Sequence, residues 1–437
     1  MRAGVSGARS GEQDIMAECP FATPQDINFM DPVVQENWFD AYRVLHRDAP
    51  VYHMADLNMY IVTKYDDLDR VLKDPVGFPN DYSAEAQETL IQHPEAQKLY
   101  HTEGWPRLMP LSTNLPEHRS FRALIDPYFT ATAVRKREAL VQQRINELID
   151  SWIDKGEIEF IKDFAEPLPM AIIAEALGFP RVDLPRLKRW SAAWVKPWSR
   201  GLTLEEEIEC VRTHIEFQHY IHETAQQKRA NPTDDVISHI ATTDYDDPLT
   251  GQTRKLTDAE VIGISDHLLT GGNETTTFAL ASGLWLLFRY PEVYAELKAD
   301  RSKVRVFVEE ALRIESPTQG LMRIAAEDVD LRGVHIPKGA VVHVRYGAGN
   351  RDPERYPEPD RPDLDRRASA AHLAFGIGEH ICPGAALSRF EQNLAWNALL
   401  DRLDNIRPVP EKDDYTHIPG FWLRALKQIH MRFDPVA

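Results

Sequence analysis

A mainly α-helical fold with a smaller β-rich region is the architecture this sequence predicts. Residues 116–291 carry strong helical periodicity. Residues 323–344 change texture, breaking into short strand-like runs punctuated by Gly333 and Gly339. A last helical run, residues 385–403, follows directly on a glycine-bearing loop.

Taken in order, residues 1–20 are expected to form a flexible arm and residues 21–437 a single domain. Residues 38–46 have the pattern of a short helix, and 51–52 with 59–63 that of a β-hairpin turning at 56–58. Residues 80–116 mix Pro, Gly, His and aromatics without steady periodicity, which predicts a partly helical loop region; long ordered loops are often functional. Helices are expected over 117–128, 133–155, 165–177, 184–196, 204–229 and Val236–Thr242. The best defined comes next. Thr257 is an N-cap with Glu260 at the third helical position, a capping box. Helical sequence then runs from Asp258 to Arg289, where Tyr290-Pro291 stops it. At the standard rise these residues span about 48 Å, and a helix so long and so apolar must cross a core. Helices at 291–301 and 304–315 follow, then strand pieces at 323–325, Val329–Leu331, 335–336 and Val341–Val344. An irregular Arg-, Asp- and Pro-rich stretch over 350–374, the helix over 385–403 and a β-like piece near 427–433 complete the chain.

Composition narrows the function. The 437 residues are 43% hydrophobic and 27% charged, values of a folded globular protein. A net charge of -18, from 68 acidic against 50 Lys and Arg residues, argues against a large nucleic-acid footprint. Cys19, Cys210 and Cys382 are far apart and form no CxxC, so neither a disulfide framework nor a zinc cluster is indicated. The N-terminus lacks the apolar core of a secretory signal, and the most apolar stretch, 261–288, contains Asp266, His267, Asn273 and Glu274. No membrane span and a cytoplasmic location are therefore expected.

The chemistry concentrates in Phe375-Gly376-Ile377-Gly378-Glu379-His380-Ile381-Cys382-Pro383-Gly384. Three glycines in ten residues permit tight turns and close approach of the backbone to a flat ligand. Cys382 stands just ahead of an apolar helix, whose N-terminus favours a thiolate and whose amides could point at the sulfur. An isolated cysteine beside such a turn is ordinarily structural; the whole ten-residue arrangement reverses those odds. It resembles the haem-binding loop of the cytochrome P450 family, filling that pattern of Phe, Gly, His or Arg, Cys and Gly at every spaced position. The resemblance runs from about residue 21 to the C-terminus and is to the soluble bacterial type. It implies the family's triangular, mainly helical prism and a haem b (iron protoporphyrin IX) with Cys382 as iron ligand. Phe375, Gly376, Gly378 and Gly384 would shape the loop and His380 would reach a propionate. No tightly bound nicotinamide or flavin is expected.

Two further motifs fall in the family's order. Glu310 and Arg313 share a helix face at i, i+3, which alone would indicate only a surface pair. The resemblance makes them a structural brace, joined by Arg361 or another arginine of residues 350–367. In Gly271-Gly272-Asn273-Glu274-Thr275-Thr276, each mid-helix glycine costs about 1 kcal/mol relative to alanine. Either close ligand approach or helix packing would justify them. Thr275 can bond the Gly271 carbonyl, loosening the ladder and leaving room for dioxygen or water. By resemblance, Glu274 and Thr275 are the catalytic acid–alcohol pair and Gly271 faces the cofactor. His118 and Arg122 would lie on the helix beneath the haem, and Arg323 would clamp a second propionate.

The implied function is a haem-thiolate monooxygenase. It would insert one oxygen atom from O2 into an apolar or aromatic small molecule, usually as a hydroxylation. Electrons would come from NAD(P)H through a separate ferredoxin and ferredoxin reductase, with Arg119 and Arg389 as candidate docking charges behind Cys382. Trp105, Trp194, Trp198, Leu268, Leu321, Phe421 and Trp422 are the candidate substrate pocket, although tryptophans also fill cores. A peroxygenase, an isomerase or dehydratase, and a haem-based sensor are the alternatives. The intact Glu274-Thr275 pair speaks against the first, and the lack of an output module against the last.

Overall fold

The computed structural model describes residues 19–80, 91–199, 202–367 and 371–436. Its axis is the helix Asp258–Arg289, which starts and stops where the capping box and Tyr290-Pro291 require. Thr257 accepts from the Glu260 amide, and the Glu260 carboxylate accepts from the Thr257 amide at 2.7 Å. This helix is buried over most of its length because helices pack on several sides: Pro167–Leu177, Leu184–Val195, Leu204–Ala230, Val304–Ile314 and Ala385–Arg402. The main apolar core lies among these helices.

The four-stranded sheet builds two smaller apolar clusters beside that core. Val51–Met54 and Met59–Val62 form the expected antiparallel hairpin. Met59–Val62 runs parallel to Val341–Val344, whose other edge pairs antiparallel with Leu321–Ile324. Arg323 opposes Val342 in that register. A second, three-stranded sheet joins Glu157–Glu159 and Leu403–Pro408 to the C-terminal strand His430–Pro435. Two small hairpins complete the strands: Val329–Leu331 with Val334–Ile336, and Asp244–Asp246 with Thr253–Lys255.

Several expectations are corrected. The helix predicted over 133–155 is broken into Ala131–Arg135, Glu138–Trp152 and a single 3-10 turn, Ile153–Lys155, closed by Gly156 at φ 69°. The helix Tyr65–Leu72 has no counterpart among the expected elements, whereas Pro94–Glu103 is the helical part expected within residues 80–116. Three-residue strands such as Glu157–Glu159 are too short to carry a period. The arm over 1–20 lies almost wholly outside the described residues.

Behind the glycine-bearing loop, the irregular stretch is organised by one buried ion pair. Glu310 and Arg313 are both 0% exposed and meet in two parallel bonds of 2.8 and 2.9 Å. Arg313 also donates to the carbonyls of Asn350, Pro359 and Arg361. The arginine that completes the pair is Arg366, whose Nε lies 3.1 Å from Glu310. Arg361 contributes only its carbonyl, because its side chain turns out to Glu292. Arg313→Ala would leave the buried Glu310 with only Arg366 as cation and these carbonyls without their donor, a loss of about 3–5 kcal/mol. The expected outcome is a lower thermal unfolding midpoint and poor soluble yield. A variant as stable as the parent and altered only in substrate choice would contradict the bracing role.

Candidate active site

The loop 375–384 folds back on itself because two of its glycines take left-handed backbone angles, Gly376 at φ 63° and Gly378 at φ 75°. A Cβ on Gly378 would stand 2.5 Å from the Leu72 carbonyl oxygen, so a side chain there has no room. The Cys382 amide closes the turn by donating to Phe375 O at 2.9 Å. Burial pushes the Cys382 thiol up, while the amides of Gly384 and Ala385 and the charges of Arg122 and Arg389 pull it back. The sulfur is thus held where helix-end amides support a thiolate and where a metal cation would supply the remaining counter-charge.

Cys382 opens on a cavity of about 310 Å3 whose opposite boundary includes the long helix. The two adjacent glycines of that helix differ in purpose. A Cβ on Gly272 would clash with Ile173 at 2.8 Å, so this glycine lets two helices close. A Cβ on Gly271 would meet nothing nearer than His267 at 4.0 Å, so this one leaves the cavity wall open to a ligand. Thr275 Oγ1 donates to the Gly271 carbonyl at 2.7 Å, as its spacing predicts. Thr276 turns elsewhere, to Ser388 at 3.0 Å. Glu274 also lines the cavity, anchored by Lys188 Nζ at 2.8 Å; that ammonium is shared with Glu166 at 3.0 Å.

A polar cluster borders the same cavity near the loop. Arg323 is buried and contacts Tyr346. Arg122 donates to Ile381 O at 2.8 Å and pairs with Asp126. The rings of His118 and His380 lie 4.0 Å apart, and Asn80 reaches His380 at 3.2 Å. Burial, reinforced by the positive charges of His118 and the arginines, holds His380 down at about 3. Burial likewise lowers His118, which is 1% exposed, with Nδ1 3.5 Å from a Glu379 oxygen and Nε2 without a partner. Two guanidiniums and a buried imidazole whose Nε2 lacks a partner form the environment that the carboxylates of a flat cofactor would satisfy. With Cys382 as the remaining donor, the residues present fit a haem.

Of the residues expected in the pocket, Trp194, Leu268, Leu321 and Trp422 line the cavity. Trp105 does not: it packs on His222 at 5.0 Å while its amide donates to Gln218. Phe421 instead packs on His343 and Phe29 in the N-terminal core. The Trp198 side chain lies outside the described residues. Arg119 and Arg389, expected as free docking charges, are paired with Glu379 and Glu309. Sequence reasoning missed Lys188 and Glu391. Glu391 lines the cavity at 2% exposure with an unpartnered Oε2, and burial raises its carboxyl well above the usual range. Its signal was a lone acid among the apolar positions of the helix following Cys382; Lys188 gave none.

Known proteins agree with this geometry. The family described as Cytochrome P450 matches residues 189–427. The chain is 31% identical over 408 residues to the biotin biosynthesis cytochrome P450 of Bacillus subtilis, covering 91% of this chain and 96% of that one. It is 30% identical over 405 residues to the cytochrome P450 monooxygenase PikC of Streptomyces venezuelae, covering 90% and 91%. In three dimensions it resembles CYP109E1 from Bacillus megaterium in complex with testosterone. That match has a TM-score of 0.78 at 28% identity, over 92% of this chain and 99% of that one. Among the described residues no helix is long and apolar enough to cross a membrane. With its thiol and its opened helix on one cavity, the chain belongs to the cytochrome P450 family and is a haem-dependent monooxygenase.

Proposed function

We propose that Cys382 would hold the iron of a haem b and that the cavity it lines binds an apolar substrate. The observation that carries this reading is that Cys382 and the Thr275–Gly271 opening line one cavity. Haem, when bound, supplies the chemistry of dioxygen reduction and oxygen-atom transfer. Arg122 and Arg323 would neutralise its propionates, with His118 and His380 donating beside them. Holding the iron, the Cys382 thiolate, stabilised by helix-end amides, would donate electron density to the cofactor.

The remaining work is proton handling, which belongs to the long helix. Thr275 Oγ1 donates to a backbone carbonyl, so its lone pairs face the cavity and can hold a water in place. Glu274 stands next to it and is tied through Lys188 to the partly exposed helix Leu184–Val195. We assign Glu274 the uptake of protons from that side and Thr275 their delivery at Oγ1. Electrons would arrive from NAD(P)H through a separate ferredoxin and its reductase. The apolar lining, and the steroid held by CYP109E1, support a substrate of several rings or a long apolar body.

Cys382→Ala should abolish both the strongly red-shifted absorption of the reduced carbon monoxide complex and oxygenase activity. A folded variant that keeps both would remove Cys382 as the ligand. Thr275→Ala should keep the fold, the haem spectrum and most substrate binding, yet divert electrons into peroxide or water. Product per NAD(P)H, measured with saturating redox partners, should fall toward the ~10²-fold loss typical of a missing proton donor. Thr276→Ala, whose hydroxyl faces Ser388, should leave that ratio unchanged. An effect confined to Thr276 would reassign the role to it.

A further inference from the structure

One polar residue of the cavity lining, His267, takes no part in oxygen chemistry. Gly263, His267, Gly271 and Thr275 fall four residues apart and so on one helix face. The last three line the cavity. Burial holds His267 down at about 4, so its imidazole is neutral, and its Nδ1 is buried without a partner.

At Gly263 another segment closes on this face: a Cβ there would sit 2.5 Å from the Leu108 carbonyl oxygen. That contact brings Arg107 beside the cavity wall. Its guanidinium lies 4.9 Å from the ring centre of Trp194, itself a wall residue. Nε and Nη2 of Arg107 are buried and have no hydrogen-bond partner. Among the described residues no carboxylate stands within ion-pair distance of it. Asp266 is near enough for its charge to act on the guanidinium. Yet one Asp266 oxygen accepts from His214 at 2.8 Å, and the other has no partner.

Buried donors without acceptors are costly, and a guanidinium more than most. Both Arg107 and His267 present N–H groups, and the group that answers only donors is a carboxylate. We propose that the substrates of this enzyme are apolar molecules bearing one carboxylate, which Arg107 grips while His267 donates alongside. This rests on the monooxygenase reading above and names the substrate class of the same cavity. It also fixes where oxidation falls. His267 precedes Thr275 by two helical turns, about 12 Å along the axis. The oxidised carbon therefore lies toward the end of the substrate remote from its carboxylate.

The test uses holoenzyme and three acid–ester pairs: dodecanoate, 4-hexylbenzoate and abietate, each against its methyl ester. Affinities are read from the haem absorption shift on binding and from calorimetry. The acids should bind at least about tenfold more tightly than their esters, the size of one charge-assisted contact. Arg107→Met should bring each acid and ester to about equal affinity, and Arg107→Lys should keep part of the preference. If Arg107→Met yields no holoenzyme, Arg107→Gln, which keeps neutral donors, is expected to lose the preference by itself. Equal binding of acids and esters by the wild type would overturn the proposal, as would failure of every acid to bind at millimolar concentration. So would an Arg107 variant that weakens both forms alike, since the guanidinium would then only support Asp266. The reduced carbon monoxide spectrum is recorded alongside. Loss of acid preference with that spectrum intact strikes this inference and leaves the monooxygenase reading standing.

Discussion

The buried guanidinium of Arg313 is the contact on which the geometry behind the cysteine depends. Among the described residues from Asn350 to Ala374 there is almost no regular secondary structure, so their backbone groups need partners from elsewhere. Arg313 takes three of their carbonyls, and Glu310 takes the Asp363 amide and Arg366. From there a hydrogen-bond path leads to the sulfur. Asn350, whose carbonyl Arg313 holds, accepts the Leu373 amide on its side chain at 2.6 Å. Leu373 O accepts from Gly376, and Phe375 O accepts from Cys382. Glu309, next along the same helix, takes His372 and Arg389 and so joins this stretch to the helix after the cysteine. Burial alone would raise Glu309; the bonds from His372 and Arg389 hold it at about 2 instead. A charged pair buried this way contributes little net stability, but its removal on one side leaves a lone charge. Its value here is positional.

The long helix solves a different problem: it must be rigid in the core and open at one point. Rigidity comes from close packing at its small residues. Gly272 admits Ile173, and Gly283 admits Trp396, whose ring a Cβ there would meet at 2.7 Å. The opening comes from Gly271 and Thr275, where one side chain is absent and another competes for a backbone carbonyl. Because the packing glycines lie on other faces, the opening costs the core nothing in contact. Adjacent glycines with opposite functions can be told apart only once the neighbours are known.

This marks the boundary of what the sequence carried. Features set by local chemistry were legible: the Thr257 cap, the Asp258–Arg289 limits, the helix Val236–Thr242 and the strand Val341–Val344 all stand where patterning placed them. The glycine-bearing loop was legible because tight turns and a thiolate constrain ten consecutive residues together. Long-range partners were not. Arg366 rather than Arg361 completes the Glu310 pair because of how an irregular chain is routed, which no period encodes. Lys188 meets Glu274 across 86 positions. Trp194 reaches the cavity and Trp105 does not, although both are tryptophans in plausible segments.

What unites the cavity is how burial acts on each titratable group in its wall. Glu391 pairs with no cation among the described residues, and burial raises its carboxyl well above the usual range. Glu274 has Lys188 and so retains a partner for its charge. His267 and His380 are both pressed toward the neutral form, one beside a helical opening and one beside Arg323 and Arg122. Cys382 is pushed up by burial but meets helix-end amides that act the other way. In a low-dielectric space the local partner decides each state. The protein therefore distributes charge along the cavity by choosing which buried groups receive a partner: cations near the loop, a paired acid beside Thr275, and a neutral imidazole two turns along the helix from it. Charge placement of this kind orients an asymmetric guest as firmly as shape does, because each polar end of the guest has only one place where it is answered.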